Sequence, residues 1–151
     1  MSSLIEEKDV SAVNLAVELE HAVIQHELQD DGTIYVTEDG WFPFWIRVQK
    51  NNGYLTFKTH TRFKRAASHV HRLELCNELN ATNYVVTSYV KEDTLCFDCI
   101  VNYRDGLLRE TFIRTCRQFT RSIEKGLAQV DADDIFILPP GRTEPEDEEA
   151  P

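Results

Sequence analysis

The chain has 151 residues, 42% hydrophobic and 10% aromatic, with a formal net charge of −10. That length supports one domain burying about 68–70% of its unfolded surface, and no apolar run approaches the ~20 residues that cross a bilayer. The start, MSSLIEEKDV, is acidic where a secretory leader is basic and then apolar, so a cytoplasmic protein is expected, with its four cysteines as free thiols.

From Val10 to Leu28 the periodicity predicts a helix. Asn14, Glu18, His21, Gln25 and Gln29 form one polar stripe, and Ala12, Val13, Leu15, Ala16, Val17, Leu19, Ala22, Val23, Ile24 and Leu28 fill most of the rest. So wide an apolar face predicts contacts on more than one side, as in a dimer. "DDG" at 30–32 closes this helix in a turn.

"TIYVTEDGWFPFWIRVQKNNGYLTFKTHT" predicts a three-stranded antiparallel meander with turns at "EDG" and "NNG". Phe42, Phe44, Ile46 and Val48 alternate with Pro43, Trp45, Arg47 and Gln49; Leu55, Phe57 and Thr59 alternate with Tyr54, Thr56, Lys58 and His60. One face is core and the other carries Trp45, Tyr54 and cations. Residues 62–79 return to helical spacing, with Phe63, Ala66, Val70, Leu73 and Leu79 inward. Asn80 falls where this helix should stop, and asparagine closes helices, while Asn77 in the last turn can bond freed carbonyls or a neighbouring loop, so capping is expected of them, with ligand binding as the alternative.

"NYVVTSYVKEDTLCFDCIVNY" predicts a hairpin turning at "KED". Leu108, Phe112, Cys116, Phe119, Ile123 and Leu127 then recur at intervals of four and three, the strongest amphipathic pattern in the chain. The expected architecture is α+β: helix, three-stranded meander, helix, two-stranded hairpin, helix. It forms a single domain over 1–130, followed by an acidic C-terminal tail, 131–151, whose last part is too charged to order.

Motifs for chemistry are scarce. "CFDC" at 96–99 lies in a predicted strand, where a spacing of three sends its thiols to opposite faces; a redox pair needs a helix N-terminus, and zinc needs two more ligands at close spacing. "HVH" at 69–71 lies on a predicted helix, where its histidines point about 200° apart. No phosphate loop, nucleophile elbow or His-Glu-x-x-His occurs. No enzyme activity, metal or cofactor is therefore expected.

Charge is distributed unevenly: residues 1–39 carry ten acids and one lysine, 40–73 seven cations and no acid, 74–130 seven cations and eight acids, and 131–151 eight acids and one arginine. The basic middle with its aromatics makes Trp45, Tyr54, Arg47, Lys58, Arg62 and Arg65 the candidate partner-binding residues. Nucleic acid is one possible partner, but a pI near 4.9 and acidic flanks oppose phosphate at long range, so a protein partner is the leading expectation.

With these elements in order, "LCNELNATNYV" followed by "DTLCFDCIVNYRDGLLRETFIRTCRQF" resembles the YbjN family, bacterial proteins described as sensory transduction regulators. The resemblance covers roughly residues 8–130. It implies a type III secretion chaperone-like fold, in which a client winds along apolar grooves and the dimer forms through the middle helix and neighbouring strands. It brings no catalytic residues. The basic 40–73 segment departs from the chaperone pattern. The resulting expectation is a homodimeric, non-catalytic, chaperone-like or regulatory module of the bacterial cytosol that binds a protein client. The alternative is a nucleic-acid-associated regulator working through the basic 40–73 face.

Overall fold

A computed structural model describes residues 2–145. In chain order they form β1 (Leu4–Ile5), α1 (Ala12–His21), β2 (His26–Leu28), β3 (Ile34–Val36), β4 (Phe44–Gln49), β5 (Tyr54–Arg62), α2 (His69–Thr82), β6 (Thr87–Lys91), β7 (Thr94–Asn102), β8 (Leu107–Leu108) and α3 (Arg109–Val130). β2 to β7 make one antiparallel sheet in the order β2-β3-β4-β5-β7-β6, and β1 pairs with β8 separately.

The expected meander and hairpin are both present, and the sheet joins them by pairing β5 with β7 along nine positions, from Tyr54↔Asn102 to Arg62↔Thr94. On one face Phe44, Ile46, Leu55, Phe57, Leu95 and Phe97 are buried. α3 supplies Phe112, Cys116, Phe119 and Ile123 to this core and α1 supplies Leu15 and Leu19. Phe119 meets Phe44 edge-on, with ring centroids 5.2 Å apart.

The first helix is shorter than its periodicity predicts. Ser11 caps it by accepting from the Asn14 N–H, and it ends at His21 because Val23 enters the left-handed region with φ 58°. The Val23 N–H bonds the Glu20 carbonyl and the Ile24 N–H bonds the Leu19 carbonyl, both at 3.0 Å, a Schellman closure with valine where glycine is usual. Residues 26–28 are then free to form a strand, so "DDG" joins β2 to β3 and is not the end of a helix; Gly32 there has φ 82°. Val23 is thus an exposed turn residue and no part of a helical face.

The second helix begins seven residues later than expected. β5 continues to Arg62, Phe63 bridges to Ile137, and Ser68 starts the helix with a capping box closed by His71. Its buried side chains are Leu75, Cys76 and Leu79. Val70 and Leu73, expected inward, are 59% and 48% exposed. α2 runs along edge strand β6 and against α3, where Gly126 lets the Leu79 side chain approach: a Cβ at 126 would lie 2.9 Å from Leu79 Cδ2.

The asparagines divide their roles. Asn83 is the C-cap residue of α2, and its side chain accepts from the Val85 and Val86 N–H groups while donating to the Ser122 carbonyl of α3. Asn80 caps nothing: it accepts from the Ser88 N–H at 2.8 Å and donates to the Ser88 carbonyl at 2.9 Å.

The packed chain runs past 130. Asp131 accepts N–H bonds from Ile135, Phe136 and Ile137. Ile137 is buried beside Phe63, and the Leu138 N–H bonds the Arg62 carbonyl. The expected disorder of the tail's last part falls on 146–151, outside the described residues. Among the described residues no helix is long and apolar enough to cross a membrane.

Candidate partner interface

The second face of the sheet is left largely to solvent, and strand register fixes what it displays. Tyr35 stands opposite Trp45, Trp45 opposite Lys58, Lys58 opposite Asp98, and His60 opposite Cys96. Side chains alternate between faces along each strand, so Tyr35, Trp45, Arg47, Tyr54, Lys58, His60, Arg62, Asp98 and Ile100 all belong to this one surface.

At its centre is a ladder of three rings. Tyr35 and Trp45 stack with centroids 4.6 Å apart, and Trp45 and His60 stack at 5.5 Å with planes 5° apart. Trp45 is half-buried within this ladder. Beside it lies a shallow depression of about 410 Å³ bounded by Asp31, Trp45, Arg47, Lys58 and His60. Its rim is held in place: an Arg47 guanidinium nitrogen lies 3.5 Å from an Asp31 carboxylate oxygen and donates to the Thr33 hydroxyl at 3.3 Å. Hydrogen bonds from Thr33, with help from Arg47, hold the Asp31 carboxyl below its usual range.

A second patch adjoins the first. Burial pushes the carboxyl of Asp98 up, opposed by Lys58 4.0 Å away, and one Asp98 oxygen is buried without a hydrogen-bond partner. Tyr89 and Cys96 stand opposite each other, both with pKa values raised chiefly by burial. Ile100, on the same face, is 58% exposed. The surface is therefore mixed, with aromatic and aliphatic area bearing cations and one part-buried acid. That composition suits a protein segment with apolar and acidic groups; a uniform phosphate track would lack Asp98 and Ile100.

Of the candidate residues, Trp45, Arg47, Tyr54, Lys58 and Arg62 share this face. Arg65 does not: it lies beyond β5 in the turn before α2, where its N–H donates to the Glu144 carboxylate and its guanidinium to the Pro145 carbonyl. Tyr35, His60, Asp98 and Ile100 complete the surface; strand alternation places them there, but nothing local in the sequence marks them as binding residues.

The remaining candidate chemistry resolves into structure. Cys96 points to the open face opposite His60, whereas Cys99 stands opposite Phe57 on the core side. Full burial drives the Cys116 thiol far above its ordinary value. His71 closes the capping box and packs on Phe136 at 4.7 Å. Among the described residues no three His, Cys, Asp or Glu side chains gather as a metal site.

No curated protein matches the sequence. Among solved structures, the chain is similar to YbjN from E. coli, described as "a putative transcription regulator": TM-score 0.69 and 17% identity, covering 86% of this chain and 97% of that one. It is also similar to a chain of the HopA1–SchA chaperone–effector complex, at TM-score 0.52 and 12% identity over 73% and 84% of the two chains. A third neighbour is the Yersinia pestis type III secretion chaperone SycH in complex with a stable fragment of YscM2, at TM-score 0.50 and 12% identity over 78% and 97%. Identities this low show the fold, which is that of YbjN and of type III secretion chaperones. The family itself is shown by sequence: the model for YbjN, "Putative bacterial sensory transduction regulator", matches residues 11–132. With most of its 151 residues inside that match, the chain belongs to the YbjN family.

Proposed function

We propose that this protein is a non-catalytic binding module of the bacterial cytosol, chaperone-like or regulatory, that holds a protein client on the open face of its sheet. The observation that carries the reading is the Tyr35–Trp45–His60 ladder, an aromatic stack on the sheet face where Arg47, Lys58, His60 and Ile100 are exposed. Rigid aromatic side chains flanked by arginine are the usual anchors of protein interfaces, since they bury much area with few rotamers to freeze. Two structural neighbours, the HopA1–SchA complex and SycH with its YscM2 fragment, are assemblies of a chaperone with another protein, which supports a client of the same general kind here.

The working unit in this reading is a homodimer formed through α2, on which the apolar Val70 and Leu73 are exposed.

The test is a paired pull-down and thermal melt of Trp45→Ala beside the wild type. The expected result is a discrete set of proteins retained by the wild type, insensitive to salt, and lost from the mutant by ~2 kcal/mol or more of affinity with little change in melting temperature. An identical set retained by both would overturn the assignment of this face, and retention that falls steeply with salt would point to nucleic acid. Sedimentation equilibrium of the wild type and Leu73→Glu at micromolar concentration tests the dimer.

A further inference from the structure

The solvent side of α3 carries a second concentration of positive charge, on the helical side of the sheet. Residues 109–121 hold four arginines and one glutamate in a chain whose net charge is −10. With the end of α1 they bound an open groove of about 560 Å³, within the size range of small-molecule sites. Ala22 and Ile113 give it apolar area packed against the core, and the exposed His21 stands on its α1 wall.

Four arginines line the groove, and their acids do not suffice. Arg109 is committed to the largely buried Glu18. Arg114 pairs with Glu110 one turn before it, but both side chains are mostly exposed, so this pair is weak and free to exchange its partner. Among the described residues no carboxylate lies within ion-pair distance of Arg117 or Arg121. Arg114, Arg117 and Arg121 follow at spacings of three and four, so they share one side of the helix over ~10 Å of its axis. Nor does the negative end of α1 present free carbonyls there: those of Glu18, Leu19 and Glu20 accept from the Ala22, Ile24 and Val23 N–H groups.

We propose that this groove binds a compact phosphate-bearing anion, with Arg117 and Arg121 as its principal ligands and Arg114 recruited from Glu110. The guanidinium fork matches phosphate oxygens two at a time, and a phosphate group brings up to about two charges where a carboxylate brings one. Three guanidiniums within ~10 Å along one helix suit that density; an extended acidic peptide would space its same-face carboxylates ~6.6 Å apart. Nucleic acid is disfavoured, since no aromatic ring lines the groove to stack a base. The site neither uses nor covers the ring ladder, so it stands or falls apart from the client reading.

The test is isothermal titration of the full-length protein, without divalent metal, with inorganic tripolyphosphate, ATP and citrate. Both phosphates should bind the wild type with a Kd below ~1 mM at moderate salt, and citrate at least tenfold more weakly. The ratio of the two phosphates tells whether the groove reads the phosphate chain alone or a nucleoside with it. Arg117→Gln with Arg121→Gln should weaken tripolyphosphate at least tenfold and leave the ligand-free melting temperature unchanged. Lys50→Gln with Arg142→Gln, an equal loss of exposed charge elsewhere, should leave binding as it is. No binding of either phosphate at ~5 mM, citrate as tight as tripolyphosphate, or equal weakening by the two double variants would overturn the proposal.

Discussion

Asn80 and Ser88 close a ring of two hydrogen bonds in which an amide side chain on α2 satisfies both backbone groups of a residue in the edge strand. The side chain does what another strand's peptide group would do. An edge strand is a template for pairing with a foreign chain, and here that template is occupied at its second residue by the helix running beside it.

Replacing Asn80 with alanine therefore leaves the buried Ser88 N–H and carbonyl without partners. The expected loss is about 1–3 kcal/mol of unfolding free energy, measured by urea denaturation, with faster amide exchange at Ser88. A loss too small to measure would show that water replaces the side chain freely.

Val23 is a β-branched residue held at φ 58° and 84% exposed, so its side chain contributes little packing to offset its strain. The left-handed conformation costs an L-residue about 1–2 kcal/mol, and glycine gives back part of the gain through unfolded-chain entropy, about 0.4–1 kcal/mol. Val23→Gly should raise the denaturation midpoint by the equivalent of ~0.5–1 kcal/mol with an unchanged slope. Val23→Pro should strongly destabilise the fold, since it removes the Val23 N–H and the required φ.

Arg109 pairs with Glu18 across the junction of α1 and α3, and its Nε also holds the Ser2 carbonyl at 2.8 Å. The Glu18 side chain is 10% exposed and that of Arg109 32%, so removing the arginine strands the more deeply buried charge. Arg109→Ala should cost about 3 kcal/mol or more. Glu18→Ala should cost less, because the arginine can turn to water. A double-mutant cycle by thermal melts should give a coupling above ~0.5 kcal/mol; strictly additive effects would mean that the pair is incidental.

Asp98 supplies the pH dependence. Burial raises its carboxyl in the folded state and Lys58 opposes this only in part, so the folded protein binds that proton more readily than the unfolded chain. This stabilises the fold at low pH, and the contribution is lost as pH rises through the raised folded value. Asp98→Asn should accordingly be more stable than the wild type at pH 7–8, with the advantage shrinking toward the ordinary carboxylate pKa of about 3.9. Melting temperatures of both proteins from pH 4 to 8 measure it; an advantage that grows on acidification would contradict the burial argument.

Strand alternation made the sheet legible from sequence: Trp45, Lys58 and Asp98 fall on the face that the period of two assigns them, because one buried face pins the register. Helix ends were less legible. Val23 carries no local signal for a left-handed turn, so the apolar period ran through it into β2, and only the trade between strain and strand pairing stops the helix there. Ser68 with His71 is a capping box without the usual glutamate, which hid the start of α2 behind the apolar Phe63 and Ala66. The Asn80–Ser88 ring depends on two segments meeting in space, which no local pattern encodes. The same holds for the ring ladder, since Tyr35, Trp45 and His60 come from three strands.

Strand order also bears on synthesis. β5 is complete at Arg62, but its second neighbour, β7, ends only at Asn102, forty residues later. At ~5–20 residues per second, a nascent chain holds the nine-residue edge of β5 unpaired for about 2–8 s, the time needed to make α2, β6 and β7. During that interval the meander already presents Trp45 and Lys58 beside an open edge. Translation pauses between codons 62 and 102 should therefore raise co-translational aggregation more than pauses placed later in α3, and ribosome-associated chaperone occupancy should peak in that window.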